Sequence, residues 1–96
     1  MSGKINVYGN NIADILAEYR KQNFVNDQLH EIRLGLENGV DVRQYADKEY
    51  FAVQMRQLRF GLEEGLDISL YNSKQYDWFQ MEEIRLGLKD GIDASV

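Results

Sequence analysis

The residues in this chain that could do chemistry are few. His30 is the single histidine, and carboxylates stand side by side at Glu63-Glu64 and Glu82-Glu83. A histidine acting as a general base needs a pocket and a group to orient it, and nothing around His30 supplies either. Zinc draws on several cysteine or histidine ligands, yet the chain has no cysteine. The paired acids lack the loop glycine and ligand spacing of a calcium loop. The repeated glycines do not read as a phosphate cradle, because none of them opens a helix. The sequence therefore offers no catalytic, cofactor-binding or metal-binding residue, and the expectation is a protein that is not an enzyme.

His30 is informative in another way. Its counterparts 26 residues on are Arg56 and Glu82, because the chain repeats itself: QLHEIRLGLENGVDV, QMRQLRFGLEEGLDI and QMEEIRLGLKDGIDA. The invariant positions are Gln28/Gln54/Gln80, Arg33/Arg59/Arg85, Gly35/Gly61/Gly87, Leu36/Leu62/Leu88, Gly39/Gly65/Gly91 and Asp41/Asp67/Asp93. A fixed period of this size marks a stacked helical array, an architecture used mostly to bind other macromolecules.

Within the middle copy, Phe51, Met55, Leu58 and Leu62 share one stripe of a helix drawn over Tyr50 to Glu64. Val53 and Phe60 lie opposite, leaving Ala52, Arg56, Arg59 and Glu63 for solvent. Roughly two thirds of the circumference reads as buried, as expected for a helix packed on both sides. Gly65 suits the left-handed position that ends a helix, and Leu66 supplies the apolar residue that packs back on it. Asp67 then caps a second helix of about one turn, Ile68 to Tyr71. Ser73, with Asp47 one copy earlier, reads as the cap of the next long helix.

Gly35, Gly61 and Gly87 fall inside the long helices, where glycine costs about 1 kcal/mol relative to alanine. Their repetition predicts a close approach at each, with Tyr45 and Tyr71 as the approaching groups. Tyr19 is the counterpart of these tyrosines and extends the pattern into an N-terminal capping helix, about Asn11 to Gln22. The fold class expected is all-α: a small right-handed solenoid with copies at 28–53, 54–79 and 80–96, a degenerate cap at 11–27 and a loose arm at 1–10, extended near Ile5 to Tyr8. The last copy stops just after its Gly-x-Asp corner.

The phrase Gln80-Met81-Glu82-Glu83-Ile84-Arg85-Leu86-Gly87-Leu88 and its sisters resemble a short helical repeat found in tandem in proteins of Firmicutes, phages and integrated mobile elements. The likeness spans about residues 19–96. In that repeat the tyrosine is commonly followed by alanine and then a helix-starting proline. Tyr45-Ala46-Asp47 fits, but Lys48 stands in the proline's place. The resemblance implies bacterial or phage origin and protein binding, and no known catalytic residues.

Charge narrows the partners. The net charge is -5, and residues 1–27 contribute none of it, since Lys4, Arg20 and Lys21 offset Asp14, Glu18 and Asp27. An acidic array lacks the basic patch that gripping a phosphate backbone requires. No apolar run reaches the roughly 18 residues of a membrane span, and MSGKINVYGNN has no apolar core of a secretory signal. The expected location is cytoplasmic, with neither nucleic acid nor membrane as direct partner.

Positions that differ between copies are the candidates for partner contact. The solvent face reads Asn26, His30 and Glu37, then Ala52, Arg56 and Glu63, then Trp78, Glu82 and Lys89. Trp78 is the anomaly, a large aromatic on a polar face and of an anchoring residue type; its other reading is a cap over the C-terminal end. Asp77 falls where Val25 and Phe51 stand, which predicts a rearranged third core. Arg33, Arg59 and Arg85 form either a ladder for an acidic partner or inter-repeat ion pairs with their stems over apolar surface. The repeated glutamines are expected to satisfy backbone groups of the adjacent unit. The leading expectation is a non-enzymatic protein-interaction module. The alternatives are an inhibitor that blocks a host nuclease during anti-defence, or a structural protein that self-assembles through the array ends.

Overall fold

The computed structural model describes the backbone of residues 11–94 and the side chains through Gly91; the arm expected at 1–10 lies outside the described residues. The described residues form four α-helices: α1 (Ile12–Lys21), α2 (Asn26–Glu37), α3 (Ala52–Glu63) and α4 (Trp78–Ala94). Two single-turn 3-10 helices, Val42–Gln44 and Ile68–Leu70, follow α2 and α3. Each α-helix packs against the next in the chain. The architecture is all-α, with no strand among the described residues, and no described helix is long and apolar enough to cross a membrane.

The helix ends follow from local chemistry. Asn11 opens α1, its side-chain oxygen accepting from the Asp14 N–H at 3.3 Å. Gly39 and Gly65 close α2 and α3 at φ of 79° and 74°. There the N–H groups of Val40 and Leu66 reach back to the Gly35 and Gly61 carbonyls at 3.0 and 2.9 Å, the closure of a Schellman turn. Asp41 and Asp67 then cap the 3-10 turns, accepting from the N–H groups of Arg43 and Ser69.

The third copy departs from this pattern. Gly91 does not end a helix, because α4 runs through it to Ala94. In the first two copies the turn at glycine leads to a corner pinned by a tyrosine. Among the described residues none pins a corner on α4, and helical hydrogen bonding continues.

The starts of the long helices also differ from the expectation. Asp47 and Ser73 cap only a local turn, accepting from the N–H groups of Glu49 and Gln75. The helices begin later, after Val25 and Phe51 in extended backbone. The repeated glutamines make these starts: Gln28 Oε1 accepts from the Val25 N–H at 3.0 Å, and Gln54 Oε1 from the Phe51 N–H at 2.8 Å. At the third start the arrangement is a full capping box. Gln80 Oε1 accepts from the Asp77 N–H at 3.0 Å, and Asp77 Oδ1 from the Gln80 N–H at 2.8 Å. Asp77 therefore completes a cap rather than rearranging the core.

The four helices share one core cluster. Ile32, Met55, Leu58 and Met81 are fully enclosed, and Phe24, Leu29, Leu36, Tyr45, Tyr50 and Tyr71 surround them. Phe51, expected in this core, is 75% exposed. Its extended backbone takes it off the helical wheel that holds Met55 and Leu58, so the stripe read from Tyr50 onward starts one turn too early. Val53 is also exposed, while Phe60 is partly covered by the guanidinium groups of Arg59 and Arg85, 4.8 and 5.1 Å from its ring centre.

The glycine reading holds for two of three copies. A Cβ on Gly35 would collide with the Tyr45 hydroxyl and lie 2.7 Å from Val42 Cγ1; one on Gly61 would meet the Tyr71 hydroxyl and Ile68 Cγ2 in the same way. Each hydroxyl donates to a carbonyl of the preceding helix, Tyr45 to Glu31 and Tyr71 to Gln57, both at 2.7 Å. Among the described residues, nothing lies within 4 Å of a Cβ on Gly87.

Candidate functional site

Two kinds of position recur at the helix surfaces, one closed and one open. The closed one is the arginine position. Arg59 is 7% exposed and Arg85 8%. Arg59 Nε donates to Glu31 Oε1 at 3.2 Å and its NH1 to Glu63 Oε2 at 2.8 Å. Arg85 Nε donates to Gln57 Oε1 at 3.0 Å and its NH1 to Glu64 Oε1 at 2.8 Å. These two residues tie one helix to the next, and their burial removes them from a partner-facing surface. Arg33, on α2, is exposed.

Electrostatics at the seam follow these pairs. Burial alone would raise the Glu64 carboxyl, but hydrogen bonds from Arg85 and Lys89 outweigh it and hold Glu64 below the usual carboxylate range. Burial opposes the charge of Arg59, and the Glu63 and Glu31 carboxylates more than restore it. Burial pushes the Tyr45 and Tyr71 phenols above their ordinary value. Asp47, hydrogen-bonded by Lys74 at 2.7 Å, is held low.

Other expected contact residues divide between seam and surface. Arg56 is exposed yet reaches Glu31 at 3.1 Å. Glu63 takes Arg59 and also accepts from Asn38 at 2.7 Å. Lys89 pairs with Glu64 at 3.1 Å. The structure thus gathers Arg56, Arg59 and Glu63 around Glu31, and Arg85 and Lys89 around Glu64. His30 and Glu37 are exposed on α2, and Glu82 is half-buried on α4. Trp78 stands apart from all of these.

The open position is the start of each long helix. Val25 is 60% exposed, Phe51 75% and Trp78 45%. Trp78 packs edge-on to Phe79, ring centres 5.7 Å apart, and Phe79 is exposed as well. These residues edge two successive grooves. One, of about 350 Å³, is lined by Val25, Gln28, Lys48, Tyr50 and Phe51. The other, of about 370 Å³, is lined by Phe51, Val53, Gln54, Lys74, Tyr76 and Trp78. The grooves lie one period apart, and Phe51 is a wall of both. Asp77 takes the cap position that Val25 and Phe51 hold, and the large apolar side chain moves one residue on, to Trp78.

Sequence reasoning expected Trp78 on an exposed face, where it lies, and missed the exposure of Val25, Phe51, Val53 and Phe79. The signal was present: each repeated glutamine fixes a helix start three residues before itself, which places residues 25, 51 and 77 outside the helical wheel. Among the described residues, no group of three or more His, Asp or Glu side chains is placed to hold a metal ion. A comparison with known protein families, with characterised proteins and with solved structures finds no match to this chain.

Proposed function

We propose that this protein is a non-enzymatic protein-interaction module built as a right-handed solenoid of 26-residue units, of the bacterial or phage kind that the repeat resembles. The partner is another protein, and it docks along the apolar row Val25, Phe51, Trp78 and Phe79. The observation that carries this reading is Phe51. A phenylalanine 75% exposed between two grooves gains nothing for the isolated fold, whereas a row of exposed apolar side chains is what a docking protein covers. Aromatic anchors of this kind carry most of the energy at interfaces.

The test is an affinity capture from a bacterial lysate with wild type, Phe51→Asp and Trp78→Ala, after circular dichroism shows that all three fold. A stoichiometric protein retained by wild type and lost by both variants supports the reading. A protein retained equally by all three rules out the row as the docking surface.

A further inference from the structure

The outer face of α4 carries three fixtures whose counterparts on α2 and α3 are filled. The first is the glycine notch. Gly35 and Gly61 receive the hydroxyls of Tyr45 and Tyr71, which donate to the carbonyls of Glu31 and Gln57 at 2.7 Å. Gly87, with the Glu83 carbonyl in the equivalent place, receives nothing among the described residues. The second is the glutamine amide. Gln28 Nε2 donates to the Tyr50 carbonyl at 2.8 Å, and Gln54 Nε2 to the Tyr76 carbonyl at 2.8 Å, five residues beyond each docked tyrosine. Gln80 is exposed, and its Nε2 has no acceptor among the described residues. The third is the acceptor for arginine. Glu31 takes Arg59, and Gln57 takes Arg85. Glu83 holds that position on α4, is exposed, and forms no ion pair among the described residues.

The same period describes what would fill these fixtures: a tyrosine, a backbone carbonyl five residues later, and an arginine fourteen residues after the tyrosine. The opposite end of the chain carries this set in register. Tyr19 is the counterpart of Tyr45 and Tyr71, the Phe24 carbonyl of those at Tyr50 and Tyr76, and Arg33 of Arg59 and Arg85. Arg33 is exposed and has no carboxylate partner among the described residues. Tyr19 is half-buried against Phe24, ring centres 5.2 Å apart, and its hydroxyl donates to no described group.

We infer that the outer face of α4 docks a second copy of this chain, added head to tail in the 26-residue register. Tyr19 of the second copy enters the Gly87 notch and donates to the Glu83 carbonyl. Arg33 of the second copy pairs with the Glu83 carboxylate, and the Gln80 amide donates to the second copy's Phe24 carbonyl. The two surfaces are different patches of one molecule, so the contact is heterologous and propagates into rings or open chains rather than stopping at a two-fold dimer. It uses neither Phe51 nor Trp78, and it meets the proposed partner row only at Gln80, which also lines the second groove.

The test is sedimentation of the full chain across micromolar to millimolar concentrations. Wild type is expected to rise above the 11.2 kDa monomer with concentration. E83R alone and R33E alone are each expected to associate at least tenfold more weakly, since like charges then face each other. An equimolar mixture of the two is expected to recover association, because each variant's tail then matches the other's head. Gly87→Ala closes the notch on an exposed helix and is expected to weaken association without unfolding the chain. A chain that stays monomeric at millimolar concentration overturns the inference. So does association that E83R, R33E and Gly87→Ala all leave unchanged, which would move self-contact to another surface.

Discussion

The hydroxyl of Tyr45 occupies the space that a Cβ on Gly35 would need. The tyrosine is 1% exposed, and its hydroxyl is committed to the Glu31 carbonyl at 2.7 Å. It has no room to withdraw. Gly35→Ala gains about 1 kcal/mol in helix propensity but forces a packed ring to shift, at a cost of about 1–3 kcal/mol. The expected outcome is net destabilisation at Gly35, and equally at Gly61 against Tyr71. Gly87→Ala meets no neighbour within 4 Å among the described residues and is expected to stabilise by up to about 1 kcal/mol. Urea denaturation of the three variants checks the ordering, and a loss at Gly87 equal to that at Gly35 would contradict it.

The two phenols carry a pH dependence of their own. Burial raises Tyr45 and Tyr71 above the ordinary tyrosine value. The unfolded chain ionises them near about pH 10, while the folded chain keeps them neutral. Their contribution is therefore complete below that pH and is lost as pH rises beyond it. Thermal melts are expected to fall steeply in strong alkali. The double variant Tyr45→Phe, Tyr71→Phe is expected to melt lower at neutral pH, by about 1 kcal/mol for each hydrogen bond lost. Its decline above pH 10 is expected to be shallower, and an identical alkaline slope would show that other groups govern that limb.

At the acid end the sign reverses. Glu64 is held low against the opposing effect of its own burial, by hydrogen bonds from Arg85 and Lys89, and Asp47 by its hydrogen bond from Lys74. A depressed carboxyl contributes stability above its unfolded value, and that contribution is lost as pH falls through the folded value. The melting temperature is expected to drop below about pH 4. Glu64→Gln is expected to lower it at pH 7 and leave less to lose in acid. A Glu64→Gln melt that tracks wild type at both pH values would remove this pair from the account.

Much of this was legible in the residues, and the illegible part has a physical cause. The helical class, the turns at Gly39 and Gly65, and the tyrosine–glycine contacts follow from period and residue type. The helix starts did not, because Val25 and Phe51 are apolar residues in a capping position usually given to Ser, Thr, Asp or Asn. Their N–H groups are satisfied by Gln28 and Gln54 from inside the helix. A wheel extended back to Tyr50 therefore buried Phe51 on paper and hid the apolar row. The arginines were equally ambiguous in sequence. Arg59 and Arg85 are seam residues because a neighbouring helix supplies Glu31 and Gln57, while Arg33, identical in type, faces solvent. Gly91 shows the same dependence on surroundings: glycine permits a turn there, but among the described residues no docked corner holds one, and α4 runs on to Ala94.

Glu31 and Gln57 pose the sharpest comparison in the seam. They hold equivalent places, each accepting the Nε of an arginine from the following helix, at 3.2 and 3.0 Å. One is a carboxylate, 1% exposed, and the other a neutral amide. The charge at Glu31 is therefore not required by the geometry, since Gln57 seats Arg85 without it. Arg59 also keeps Glu63 at 2.8 Å whatever stands at position 31. Glu31→Gln is expected to preserve the seam at a cost of about 1–2 kcal/mol, the difference between a charged and a neutral acceptor. Glu31→Ala leaves the Arg59 guanidinium buried with one partner fewer and is expected to cost about 3 kcal/mol. Arg56 adds a second reading, since its exposed guanidinium loses the same carboxylate, so Arg56→Ala is expected to cost under about 1 kcal/mol. Equilibrium unfolding of the three variants separates these values. Equal losses for Glu31→Gln and Glu31→Ala would show that the charge itself, rather than a seated acceptor, holds α2 to α3.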